Sequence, residues 1–198
     1  MIVVALATGV AWGQSPTVVR VEEDWEMVVA EPDVDSDAPQ VTCMISPLAE
    51  GRPLYASLEL NHHTLPDYVP GGLQLQVWNG DQAVAVHTSP ITALLQTPNE
   101  LVKWTQCMEV NGGNLIIEVI NGSSTTWGSF GGQGYLQAIV ASTLSDLNSY
   151  RPQVSIANSS VGFAANRVQS LVLKRVRYKM SNGQVWEDAT PRVVTSQP

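Results

Sequence analysis

Leu73-Gln74-Leu75-Gln76-Val77-Trp78-Asn79-Gly80 sets the pattern for the whole chain. Successive side chains of an extended strand point to opposite faces, so Leu73, Leu75 and Val77 share one face while Gln74, Gln76 and Trp78 share the other. Asn79-Gly80 then tolerates the positive φ of a hairpin turn. Leu54, Ala56, Leu58 and Leu60 alternate in the same way with Tyr55, Ser57, Glu59 and Asn61, and Leu115, Ile117 and Val119 with Ile116, Glu118 and Ile120. Asn-Gly recurs at Asn111-Gly112, Asn121-Gly122 and Asn182-Gly183, and three of the four pairs separate two extended runs. A 3.6-residue period is almost absent; only Thr92–Gln96 and Thr143–Ser149 could hold a helical turn. No internal repeat and no linker divides the chain. The pattern predicts one all-β domain, an antiparallel two-sheet sandwich.

The composition agrees. An apolar fraction of 44% with few charges excludes a disordered chain. No apolar run reaches the ~18–20 residues of a membrane-spanning helix. A net charge of −8 argues against a protein that grips nucleic-acid phosphates.

That charge is concentrated. Eight acids lie between Glu22 and Asp37 with no base among them, and the remaining acids equal the bases in number. Arg167, Lys174, Arg175, Arg177 and Lys179 form a basic block with no acid. In Val19–Val29, alternation places Val19, Val21, Trp25, Met27 and Val29 on one face and Arg20, Glu22, Asp24 and Glu26 on the other, with Glu23 interrupting the apolar face. Leu171 and Leu173 are apolar in one phase, Val176 and Tyr178 in the other, a shift of the kind a β-bulge produces after Lys174. We expect these first and last long strands to be neighbours, acids opposite bases, since like charges placed there would oppose pairing.

Ile2–Trp12 is an apolar run of signal-peptide length, and Ala11-Trp12-Gly13 places small residues where a signal peptidase cleaves, before Gln14. Residues 1–13 therefore read as a signal peptide and 14–198 as the mature domain, secreted, although no basic stretch follows Met1. The start then lies upstream or the signal is weak; a buried N-terminal strand is the alternative. An oxidising compartment would permit one bridge between the two cysteines, Cys43 and Cys107; two separate buried thiols fit the sequence equally. No Cys/His cluster supports zinc.

Asp33, Asp35 and Asp37 are spaced like the opening of a calcium loop. An EF-hand would need Gly and Glu where Ala38 and Met44 stand, which leaves a non-EF Ca²⁺ site or a solvated acidic turn beside Pro32 and Pro39. Of the six Trp, Trp25 and Trp104 fall on apolar faces. Trp78 shares its face with Gln74 and Gln76, and Trp127 sits in a loop of small polar residues. An aromatic plane beside amides suits a sugar ring; packing against a loop or the second sheet is the alternative for each. Tyr55, Glu59, Asn61, Tyr68 and Tyr135 are weaker candidates of the same kind. His62-His63 would point to opposite faces and makes no metal pair. Asn121-Gly122-Ser123 and Asn158-Ser159-Ser160 are glycosylation sequons. Gly-x-Ser-x-Gly, phosphate-loop and catalytic Cys/His patterns are absent.

Trp104-Thr105 through Asn111-Gly112-Gly113, then Leu115 and Val119-Ile120-Asn121-Gly122, resembles the laminin-G-like and concanavalin A-like sandwich superfamily. The resemblance implies a jelly roll with its chain ends side by side, whose curved sheet or loop rim binds carbohydrate. Thr105 stands where the family commonly has His, and the turn Asp is missing. Some members are retaining glucanases with Glu-x-Asp-x-Glu on one strand, matched here by Glu22, Asp24 and Glu26. Glu23 stands between the first two, where an apolar residue belongs, and the motif falls on an expected edge or end-pairing strand. Three functions follow: a secreted, non-catalytic module for carbohydrate or a cell-surface component; a structural or adhesive envelope protein without a small ligand; or a glucanase.

Overall fold

The computed structural model describes residues 15–29, 41–49, 53–62, 72–91, 93, 95, 97–152 and 168–194. Two antiparallel sheets face each other across one core. The larger contains β1 (Val18–Val29), β6 (Leu101–Asn111), β7 (Asn114–Ser124), β8 (Gly128–Phe130), β10 (Val168–Met180) and β11 (Val185–Asp188), in the order β11-β10-β1-β6-β7-β8. β12 (Arg192–Val194) also pairs with β10, and β9 (Ala138–Ala141) with β7. The smaller runs β2-β3-β4-β5, from β2 (Val41–Ile45), β3 (Leu54–His62), β4 (Gly72–Asn79) and β5 (Gln82–Thr88). The all-β sandwich expected from the alternation is thus the fold.

The alternating residues fill the core as read. Leu73, Leu75 and Val77 meet Ala56, Leu58 and Leu60 from one sheet, and Val21, Met27, Val102, Leu115, Ile117 and Val119 from the other. Trp25 and Trp104 are cross-strand partners, both about fully buried, with rings 6.1 Å apart and 9° from parallel.

β1 and β10 pair antiparallel with acids opposite bases: Glu22 faces Arg177 and Asp24 faces Arg175. The next pair is Trp25 with Leu173, so Lys174 is the extra residue of a bulge. That bulge lets Leu171, Leu173 and Val176 all reach the core while Lys174, Arg175 and Arg177 turn outward. Of the two placements expected for β1, edge or end-pairing, the second holds: it pairs with the last long strand β10 and, along its other side, with β6, inside the larger sheet.

Three Asn-Gly pairs make hairpins. Asn79 pairs with Gln82 around Gly80-Asp81, Asn111 with Asn114 around Gly112-Gly113, and Asn182-Gly183 joins β10 to β11. Asn121-Gly122 is different: it lies within β7, just past a bulge opposite Thr105 and Gln106. Gly122 is required there by space, because a Cβ would sit 2.2 Å from the Phe130 ring. Of the two segments that could hold a helical turn, Thr143–Ser149 has no helix and ends in a single turn in which Tyr150 N donates to the Leu147 carbonyl at 3.0 Å, and Thr92–Gln96 lies partly outside the described residues. We expect Gly122→Ala to cost about 1–3 kcal/mol in urea unfolding, as overpacking does. In a Phe130→Leu background the same substitution should cost less.

Candidate functional site

Glu23 interrupts the apolar face of β1 in sequence, and in the structure it is buried there, 0% exposed between Val21 and Trp25. Among the described residues its carboxylate collects three donors. Tyr150 Oη donates to Oε1 at 2.5 Å, while Gln106 Nε2 and Trp25 Nε1 donate to Oε2 at 2.7 and 3.0 Å. A carboxylate left unpaired in such a core would be strongly destabilising. Tyr150 belongs to the segment after β9, which is tied to the start of β1: Leu147 N donates to the Val18 carbonyl, and Val18 N donates to Asn148 Oδ1.

Tyr150 meets Tyr178 of β10 edge to face, with centroids 5.9 Å apart. Together their rings line a slot of about 230 Å³, with Val18, Leu147 and Met180 on its apolar walls and Asn148 and Arg151 at its rim. Trp186 on β11 pairs directly with Tyr178, borders the same slot and is 63% exposed. The β11 end is anchored, since Asp188 accepts from Thr190 N at 2.9 Å and from Arg192 at 2.5 Å. These bonds hold the Asp188 carboxyl down at about 2. Burial raises the Tyr178 hydroxyl above its ordinary range. Arg151 Nη1 donates to the carbonyls of Asn148 and Tyr150, fixing the rim. An aromatic shelf with amide and guanidinium groups beside it is chemically suited to a ring with one apolar and one hydroxylated side. The sequence reading missed this site, because a two-residue Asn182-Gly183 turn would set Tyr178 opposite Glu187, and it is the three-residue loop Ser181–Gly183 that brings Trp186 opposite Tyr178.

The sequence-expected site residues divide. Trp78, Gln74 and Gln76 do come together on the outer face of the smaller sheet, where Trp78 Nε1 donates to Gln76 Oε1 at 2.8 Å and Gln76 Nε2 to Gln74 Oε1 at 2.6 Å. Both amides are buried, and Trp78 is half-buried and stacked on Tyr55 at 6.4 Å. Trp127 is elsewhere, half-buried against Phe130 with its Nε1 donating to the Ala93 carbonyl at 2.6 Å. Tyr135 Oη donates to Ser89 Oγ. Asp33, Asp35 and Asp37 lie outside the described residues, as does the N-terminal segment 1–13; among the described residues no cluster of metal-ligating side chains occurs.

Glu22, Asp24 and Glu26 do share the outer face of the larger sheet. Each is engaged by cations: Glu22 by Arg177 and Arg20 at 2.8 Å, Asp24 by Arg175 at 2.5 Å, and Glu26 by Lys103 and Lys174 at 3.5 Å. Thr105 Oγ1 also donates to Asp24, at 2.6 Å. The trio is the acidic side of an ion-pair network that joins β1 to its neighbours.

Of the two readings of the cysteines, a bridge or separate thiols, the structure has the second: Cys43 and Cys107 are free buried thiols on different faces. Cys43 is in the core, whereas Cys107 lies on the outer side of β6, with Sγ 3.8 Å from Glu118 Oε1. Burial pushes Cys107 up to about 12, opposed by Arg20 and assisted by Glu118; burial and then the Glu23 charge push Cys43 well up. Both thiols bind their protons more tightly when folded, so stability falls as pH rises from their ordinary range near 9 toward 12.

Two outcomes are expected. In denaturant without reductant, the chain should release two titratable thiols that are unreactive in the native state at pH 8; finding none would mean a bridge. Tyr150→Phe removes one donor from a buried carboxylate and should cost about 1–3 kcal/mol in urea unfolding. No protein-family model matches the chain, and no curated protein matches it either.

Proposed function

We propose that the protein is a non-catalytic β-sandwich that binds carbohydrate outside the cytoplasm, and that the Trp186 slot is its binding surface. The observation that carries this reading is an exposed tryptophan, 63% accessible, beside a slot lined by Tyr150 and Tyr178. A pyranose presents apolar C–H groups to an aromatic plane and hydroxyls to polar groups around it. Asn148 and Arg151 supply those polar groups, and both are exposed. The resemblance of Trp104–Gly122 to the laminin-G-like and concanavalin A-like superfamily supports the same ligand class, and the apolar segment Ile2–Trp12 supports export.

Glycan-array screening followed by calorimetry tests the assignment. A bound saccharide should lose about tenfold or more in affinity with Trp186→Ala, which corresponds to about 1.4 kcal/mol. Trp78→Ala should leave affinity within about twofold of the parent. Loss at Trp78 alone would move the site to the smaller sheet, and absence of binding to any glycan would overturn the reading.

A further inference from the structure

Four of the five described arginines have a carboxylate partner within the chain. Arg20 holds Glu22 and Glu109, Arg175 holds Asp24 and Glu187, Arg177 holds Glu22, and Arg192 holds Asp188. Arg151 is the exception, and among the described residues it is the only charged side chain lining the Trp186 slot. Its Nη1 donates to the carbonyls of Asn148 and Tyr150 at 2.9 and 2.6 Å, which holds the guanidinium in place. No described residue accepts from its Nε or Nη2. Acids of the neighbouring elements are engaged elsewhere. Asp146 accepts from Ser145 Oγ and Asn148 N, Asp188 from Thr190 N and Arg192, and Glu23 from Tyr150, Gln106 and Trp25. The charge of Arg151 does reach the slot: burial, the largest influence, raises the Tyr178 hydroxyl, while Arg192 and Arg151 act to lower it. The other open polar groups there are donors too. Asn148 Oδ1 already accepts from Val18 N, so its amide Nδ2 is what a ligand meets, and Trp186 offers an indole N–H.

We infer that the Trp186 slot takes an acidic sugar, a hexuronate whose ring lies on the indole and whose carboxylate is held by the Nε–Nη2 edge of Arg151. The inference rests on the carbohydrate reading of the slot and adds the charge of its ligand. A guanidinium edge presents two parallel N–H groups that match the two oxygens of a carboxylate, and bonds between ionised partners are about twice as strong as neutral ones. A neutral sugar would meet the same donors with hydroxyls and leave the positive charge without a counterpart. The carboxylate of a hexuronate projects from the ring edge, so a ring stacked flat on the indole directs it sideways, toward the rim where the exposed Arg151 stands.

Calorimetric titration of the full chain with oligogalacturonate and oligoglucuronate, with their methyl esters and with a sulfated neutral oligosaccharide, tests the inference. Esterification removes the charge and keeps the ring. It should weaken binding to the parent about tenfold or more, and to Arg151→Gln about threefold or less. Arg151→Lys, which keeps the charge without the fork, should bind the acid less tightly than the parent and more tightly than Arg151→Gln. Urea midpoints of both variants, read alongside, separate a lost contact from a lost fold. Equal binding of acid and ester by the parent, or an esterification penalty that persists in Arg151→Gln, overturns the inference and leaves carbohydrate binding at the slot in place. Tighter binding of the sulfated sugar than of either uronate overturns the carboxylate assignment. Absence of binding to all of these ligands and to neutral glycans overturns the carbohydrate reading, and the inference with it.

Discussion

Glu23 is the constraint around which the rest is arranged. A carboxylate at the centre of an apolar face can be buried only if donors reach it, and among the described residues donors come from β1, β6 and the segment that follows β9. Gln106 and Tyr150 lie 83 and 127 residues away along the chain. Chain segments must therefore be in their final places before the charge is satisfied, which ties burial of the core to correct assembly. The same bond that satisfies Glu23 fixes Tyr150, and Tyr150 is one wall of the aromatic slot. Core and candidate site are two sides of one side chain.

The outer face of β1 works in a different regime. Its ion pairs are partly exposed, each contributing about 0.2–1 kcal/mol. Their importance lies in register. With Glu22 opposite Arg177 and Asp24 opposite Arg175, a slip of one residue would move apolar side chains out of the core and bring carboxylates in. The bulge at Lys174 reconciles the two demands, since it keeps both Leu173 and Val176 inward without losing the charge pairing.

Local features were readable from sequence because they depend on neighbours along the chain. Alternation gave the strands, Asn-Gly gave three hairpins, and the phase change after Leu173 gave the bulge. Opposite charge blocks also identified the β1–β10 pair. What escaped depends on distant partners. Whether β1 is an edge or an interior strand is settled by β6, some eighty residues on. Glu23 read as a break in the pattern because its donors cannot be seen from its own strand. Asn121-Gly122 carries a turn signature, yet continuing β7 past a bulge and packing Phe130 over Gly122 wins. Trp78, Gln74 and Gln76 were placed on the right face, but alternation alone does not say that the amides are buried and satisfy each other.

The unequal sheets explain where the molecule leaves surface for others. Among the described residues four strands face a sheet of eight, and the segment carrying Leu147 and Tyr150 packs into the core beside them. A segment closes less completely than a strand ladder, and the gap it leaves is the aromatic slot beside Trp186. At the other end the smaller sheet, among the described residues, finishes in β5, beside β9, with Val84 and Val86 about half exposed. One end thus presents aromatic rings and the other the exposed valines Val84 and Val86, so the two surfaces differ in chemistry.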